Sequence, residues 1–402
     1  MQKYNYTARD ENGKVIRGMM IAENEIALAN KISHLGYFLT GYKSTQESVD
    51  RAVKSGAAKL KSKEILQFTY QLSTLLAAGL PLLEGLRNLT QDAANENIQK
   101  VVDDVRYRVE SGGSLTEAVS MHPQTFSAVY KALVNAGETT GNLPETLEDL
   151  TQLLEWQMDL KKKIQEAATY PVILFTVMVG VVILLVVKVI PMFEPIFQEA
   201  GANLPLPTKI VLEISHCIQN YWFIFVGGII SLIIGFFTCN RTEKGHYVLD
   251  GWKLKLPLFG SLLRKIALSR FAHTFNICFD AGINLLTALD IARQTVGNAR
   301  IETAIKKARE AVNVGEKLAI SLQMTGEFPA MVVRMIAVGE QSGALPHTLD
   351  KISRFYDKEV TDTVKTIFAL FEPLMIIIMG VVVGGIALSI FLPMFQMAQM
   401  VG

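Results

Sequence analysis

The sequence predicts a mainly α-helical membrane protein: two tandem cytoplasmic helical-bundle repeats, three transmembrane helices and a small N-terminal α/β module. Three observations predict it. Three apolar stretches are long enough to cross about 30 Å of hydrocarbon, which takes about 20 helical residues. An ordered series of residues recurs 202 or 203 positions further along the chain. Lysine and arginine gather on one side of each apolar stretch.

The spans come first. They cover 171–193, interrupted only by Lys188, then 221–239, without charge, and 371–395, without charge after Glu372. Uncharged runs of this length are rare in soluble cores. Basic residues stay inside. Lys161, Lys162 and Lys163 precede the first span, and seven basic residues from Arg241 to Arg270 follow the second. The connection 194–220 holds only Lys209, and the tail 396–402 holds no basic residue. Residues 1–21 carry charges throughout and show no apolar core of a signal peptide. The N-terminus is therefore expected in the cytoplasm, with 194–220 and 396–402 in the periplasm. Lys188 falls near the outer end of its helix, where its stem can reach the interface; a functional intramembrane lysine is the alternative.

The repeat gives the same layout independently. Phe68, Ala78, Gly79, Leu82, Leu83 and Leu86 recur as Phe271, Ala281, Gly282, Leu285, Leu286 and Leu289. Gly137, Glu138, Gly141, Leu143 and Pro144 recur as Gly339, Glu340, Gly343, Leu345 and Pro346. Pro171 recurs as Pro373, and Pro191-Met192-Phe193 as Pro393-Met394-Phe395. If both units lie on one side of the membrane, the chain must return between them, and the unmatched span 221–239 does so. The repeats are placed at 64–170 and 240–370.

Within the first repeat, Ile65, Phe68, Leu72, Leu75 and Leu76 make one helical face over 64–78. Gly79 ends that helix, and Pro81 suits the first turn of the next. A more polar helix is expected over 95–110. Ser114 with Glu117 reads as a capping box, opening a short helix that Pro123 stops. Further helices are expected over 126–138 and from Asn142, a second capping candidate with Glu145, to about Tyr170. Pro171 should kink or break the path as the chain enters lipid. The N-terminal module, 1–46, reads as strands at Tyr4–Ala8 and 15–20 around an Asn12-Gly13 hairpin signal, then a helix over 23–35 closed by Gly36. Residues 47–63, with Lys54, Lys59, Lys61 and Lys63, read as a basic linker.

No catalytic, cofactor-binding or metal site is expected. The nearest run to a phosphate-binding loop is 36–44, where Tyr42 displaces the lysine. The six histidines stand singly, without ligand spacing. Cys217, Cys239 and Cys278 form no CxxC pair and read as small apolar fillers. A net charge of +1 argues against a nucleic-acid partner. Energy for any work must come from elsewhere.

Three groups of residues stand out. Gly137, Glu138, Gly141 and Leu143, with Gly339, Glu340, Gly343 and Leu345, read either as a helix corner, with Gly141 and Gly343 left-handed, or as a carboxylate presented to a partner's cation. Tyr170-Pro171 and Glu372-Pro373 mark the membrane entry. Gly380, Gly384 and Gly385 let another helix approach closely in the third span.

These residues together resemble one family, the inner-membrane platform proteins of type IV pilus and type II secretion machines. The resemblance covers nearly the whole chain. Tyr6-x-Ala8-x-Asp10-x-x-Gly13 resembles the family's opening motif, and the run from Gln71 through Leu82 its first-helix signature. The two Gly-Glu-x-x-Gly-x-Leu blocks, Tyr170-Pro171, Glu372-Pro373 and Leu204-Pro205-x-Pro207-Thr208 match as well. The resemblance implies a bacterial inner-membrane location. It also implies a hexameric assembly ATPase, pilin or pseudopilin subunits, other inner-membrane assembly proteins and further copies of the chain as partners. Pilus assembly is favoured over secretion by Ile190-Pro191-Met192-Phe193-Glu194-Pro195-Ile196-Phe197. Two stretches depart from the family: 275–280, in place of a leucine-rich run, and the charged Gly315-Glu316-Lys317. A transporter or a membrane-bound enzyme would need polar groups converging in a site, and the sequence offers only Lys188 within the spans.

Overall fold

The computed structural model describes residues 2–9, 15–22, 25–34, 37–44, 59–199 and 205–401. The turn at Asn12-Gly13, the helix stop at Gly36, the linker up to residue 58 and Leu204 lie outside them. The chain divides into two compact units, residues 1–127 and 128–402.

The first unit opens with an antiparallel sheet of order β2-β1-β3. Its strands are β1 (Gln2–Arg9), β2 (Val15–Ala22) and β3 (Phe38–Ser44), with α1 (Glu25–His34) before the last. Gln2 pairs with Ala22 and Arg9 with Val15. Ala8, Leu28 and Ile32 are fully buried. The sequence reading missed β3, which occupies the run examined as a phosphate loop. Four helices follow: α2 (Ser62–Ala77), α3 (Leu82–Gln91), α4 (Glu96–Glu110) and α5 (Leu115–Ser120). Phe68, Leu72, Leu86, Val105 and Leu115 bury their apolar face. The Asn95 side chain accepts from the Ile98 N–H at 3.0 Å and caps α4. Ser114 and Glu117 form the expected capping box at 3.0 and 3.2 Å. Such caps satisfy amides that a helix start leaves open.

The second unit holds α6 (Ala128–Thr140), α7 (Leu143–Leu184), a π-helical turn (Leu185–Val189) and α8 (Ile190–Glu199). Next come α9 (Leu206–Arg241), α10 (Glu243–Lys255), α11 (Phe259–Asp280), α12 (Leu285–Thr295) and α13 (Ala299–Asn313). It ends with α14 (Leu318–Met324), α15 (Ala330–Ser342) and α16 (Leu345–Val401). Among the described residues two helices, 143–193 and 345–395, are long and apolar enough to cross a membrane, where the sequence predicted three. Val172, Ile173, Val177, Ile376, Ile377 and Val381 on them are exposed, an apolar surface that water would penalise and lipid would not. The stretch 221–239 lies within α9, which is helical throughout apart from a distorted Tyr221.

Neither proline breaks its helix at the membrane entry. Pro171 lies inside α7 and Pro373 inside α16. A proline removes one backbone bond, and an apolar environment penalises every further bond that a break would open. The second capping candidate also departs from expectation. Asn142 makes no side-chain cap; its amide instead donates to Glu145. Cys278 is buried as a filler, whereas Cys217 is exposed.

The departure at 275–280 is accommodated within α11. Phe271, Phe275 and Phe279 form a row with centroids 5.4 and 6.2 Å apart. Asp280 then approaches Asp149 of α7. Burial first, and then the charges of Asp280, Glu148 and Glu145, push the Asp149 carboxyl up to about 6. A folded-state value above the unfolded one means that stability falls as pH rises from about 4 through 6. Asp149→Asn is expected to melt above the wild type at pH 7.5 and level with it at pH 4, in detergent thermal-unfolding curves at both pH values.

Candidate functional site

The two Gly-Glu-x-x-Gly-x-Leu blocks form the corners between α6 and α7 and between α15 and α16. Each residue type has a physical reason. A side chain at Gly137 would meet Thr146 Oγ1 at 2.8 Å and Cβ at 2.9 Å; at Gly339 it would meet Thr348 at 2.7 and 2.9 Å. The two helices therefore touch at the first glycine. The second glycine reverses the chain: Gly141 has φ +73° and Gly343 φ +68°, a conformation that L-residues other than Asn and Asp rarely hold. The Asn142 N–H donates to the Gly137 carbonyl at 2.9 Å, closing the helix end. Leu143 and Leu345 open the following helices.

Glu340 has a local role in the second corner. Its carboxylate accepts from the backbone N–H of Leu318 at 2.8 Å and of Ala319 at 3.2 Å, at the start of α14. That helix lacks a side-chain cap at its own N-cap, Lys317. Ser114 caps itself at the equivalent place in the first repeat. The charged Gly315-Glu316-Lys317 departure thus meets a carboxylate supplied from α15. The Glu138 side chain also has a partner.

The membrane-entry residues come together. The Tyr170 hydroxyl donates to Glu372 at 3.4 Å, a pair 202 residues apart. Lower down, the Trp156 indole N–H donates to Asp357 at 3.0 Å, a pair 201 apart. Above them, Val186 and Ile190 pack with Ile386. Pairs 202 and 201 apart on α7 and α16, continued by the packing of the following π-helical turn on Ile386, mean that the two helices run parallel and close to register.

Sequence reasoning missed the polar centre of this pairing. Asp357 also accepts from Ser269 at 2.7 Å and meets His273 Nε2 at 2.8 Å, both on α11. The Trp156 and His273 rings stack at 4.0 Å. Burial works to raise the Asp357 carboxyl, and the bonds from His273 and Ser269 outweigh it and hold it below the usual range. Leu160, Leu262, Val360, Val364 and Ile367 pack around one core, and Lys265 reaches Glu359 at 2.6 Å. The only available signal was that Trp156 and Asp357 stand near one repeat length apart.

Gly380, Gly384 and Gly385 stay apart from these groups, and a side chain at any of them would meet nothing within 4 Å. Among the described residues no group of three or more His, Cys, Asp or Glu could hold a metal. The arrangement consists of two helix corners and two long parallel helices joined by hydrogen bonds at several heights.

The family profile of type II secretion system (T2SS) protein F matches twice, over residues 68–191 and 271–393. The chain is 36% identical over 399 residues to a type IV pilus assembly protein PilC of Thermus thermophilus, covering 98% of each. It is 35% identical to a protein of the same name from Myxococcus xanthus, covering 98% of this chain and 94% of the relative. It is 32% identical to type II secretion system protein F of Pseudomonas aeruginosa over the full length of both.

The corner chemistry separates the two glycines. Gly339→Ala is expected to cost about 1–3 kcal/mol through crowding, and Gly343→Ala about 1–2 kcal/mol through its backbone. Asparagine at 343 should restore most of that loss, and asparagine at 339 none. Thermal unfolding of the four variants in detergent checks this.

Proposed function

Because the chain belongs to the type II secretion system protein F family, we propose that it is the inner-membrane platform of a filament-building machine, serving type IV pilus assembly. Type II secretion is the second reading, supported by the relatives named for that system. The observation that carries the proposal is the parallel, in-register pairing of α7 and α16, in a chain that matches relatives of pilus-assembly name almost end to end.

That pairing supports a three-span topology. Two spans crossing in one direction need a return, and α9 supplies a helix through 221–239. The basic residues put the helical repeats, with the N-terminus, in the cytoplasm and the C-terminus in the periplasm. The bundles then offer a surface on which a hexameric ATPase acts, and the platform itself is non-catalytic. The bonded column from Trp156 through Asp357 to the Tyr170–Glu372 pair carries displacement from the bundle to the spans. Pilin or pseudopilin subunits are the cargo, with other inner-membrane assembly proteins alongside. Gly380, Gly384 and Gly385 leave room for a helix from a second copy or from a subunit. Glu340 acts first as the cap of α14.

Deleting the gene in its host tests the reading. The expected result is loss of surface filaments, restored by the gene in trans, with exoprotein secretion unchanged. Loss of secretion with filaments intact would move the assignment to the secretion machine, and neither loss would remove it.

A further inference from the structure

We propose that α10 and the tight turn after it form an interfacial foot lying in the headgroup region of the inner leaflet. The inference rests on α9 being a span, as read above.

Position is the first argument. The uncharged run of α9 ends at 239, α9 itself ends at Arg241, and α10 begins at Glu243. The chain turns at Thr242, whose hydroxyl accepts from the Gly245 N–H at 3.2 Å. A helix that starts so soon after a span starts at the membrane surface.

The two faces of α10 are the second. On one, Asp250 is 3% exposed. Its carboxylate accepts from the Ala299 N–H at 2.9 Å, at the start of α13, and from Lys253 at 2.8 Å. At about 3.6 residues per turn, Val248, Trp252 and Lys255 fall on the opposite side, and Tyr247 on the flank next to Asp250. Val248 is exposed there and Trp252 is 72% exposed, while Tyr247 is exposed on the flank. The helix is thus pinned to the bundle by a buried carboxylate and presents an aromatic and aliphatic face outward.

The turn is the third. Leu258 has φ +66° and ψ −57°, and the Phe259 N–H donates to the Pro257 carbonyl at 2.8 Å. This is a γ-turn, a strained form, and Gly260 fixes it, because a side chain there would lie 2.2 Å from the Leu254 carbonyl oxygen. Glycine would hold the left-handed position at lower cost. The turn instead carries a leucine, and that leucine is half exposed.

The chemistry of this surface fits lipid. Tryptophan and tyrosine favour the headgroup level, and leucine and valine reach the acyl boundary. Residues 241–255 hold four lysines and arginines against two acids, suited to an anionic leaflet. The foot would keep the second repeat close against the membrane through the Asp250–Ala299 bond.

Site-directed spin labelling of the full chain tests this. The three cysteines are replaced, and nitroxides are placed by Val248→Cys, Trp252→Cys or Leu258→Cys in nanodiscs of phosphatidylethanolamine and phosphatidylglycerol. Ile230→Cys in α9 and Lys306→Cys on the exposed side of α13 serve as lipid and water references. The foot predicts nickel-chelate collision rates at 252 and 258 several-fold below that at 306, with oxygen access between those at 306 and 230. Nickel access equal to that at 306 overturns it. Low access to both reagents with spin–spin broadening also overturns it, in favour of a second copy on this face. Free nickel access at 230 would instead sink the reading of α9 as a span, and this inference with it.

Discussion

The parallel, in-register pairing of α7 with α16 is the constraint on which the rest of the structure depends. A duplicated chain can set its two copies side by side in only a few ways. Bonds that join Trp156 to Asp357 and Tyr170 to Glu372 select the one in which equivalent positions meet. The two apolar segments then point the same way, and everything between them must bring the chain back. The connecting helix is locked to the pair by two buried hydroxyls. Thr208 donates to the Ser389 carbonyl and Ser215 to the Val186 carbonyl, each at 2.7 Å. Val186 lies in the π-helical turn, where regular i to i+4 bonding is interrupted.

Asp357 explains how a polar group serves a tightly packed junction. Three donors from two other helices converge on one carboxylate, and an aromatic stack shields it. A partly buried charge that is well bonded specifies a geometry, and one left half bonded would be costly. The same logic holds at Glu327, whose side chain is 8% exposed and bridged by Arg264 at 3.2 Å and Arg300 at 2.5 Å. Each acid ties together elements that are far apart in sequence.

Much of this was legible in the sequence. The repeat gave the two apolar segments one direction without showing that they pair, and the corner glycines followed from helix-stop chemistry. Ser114 and Glu117 carried their capping box openly. What was hidden had physical reasons. Ser269 and His273 look like ordinary polar positions on a helix until α16 supplies Asp357. The Gly339 contact with Thr348 is a matter of interhelix distance that no local pattern encodes. Strand β3, with Gly41 and Lys43 among its residues, lacks the apolar alternation that marks a strand. Pro171 reads as a kink or break from local propensity alone, which leaves out the cost of opening backbone bonds in an apolar environment.

Disulfide formation in native membranes tests the central claim most directly. With the three natural cysteines replaced, the account predicts that Tyr170→Cys with Glu372→Cys cross-links within one chain, and that Tyr170→Cys with Ile390→Cys does not. Cross-linking of the 170–390 pair in place of 170–372 would mean that the two long helices run in opposite directions, and would contradict it.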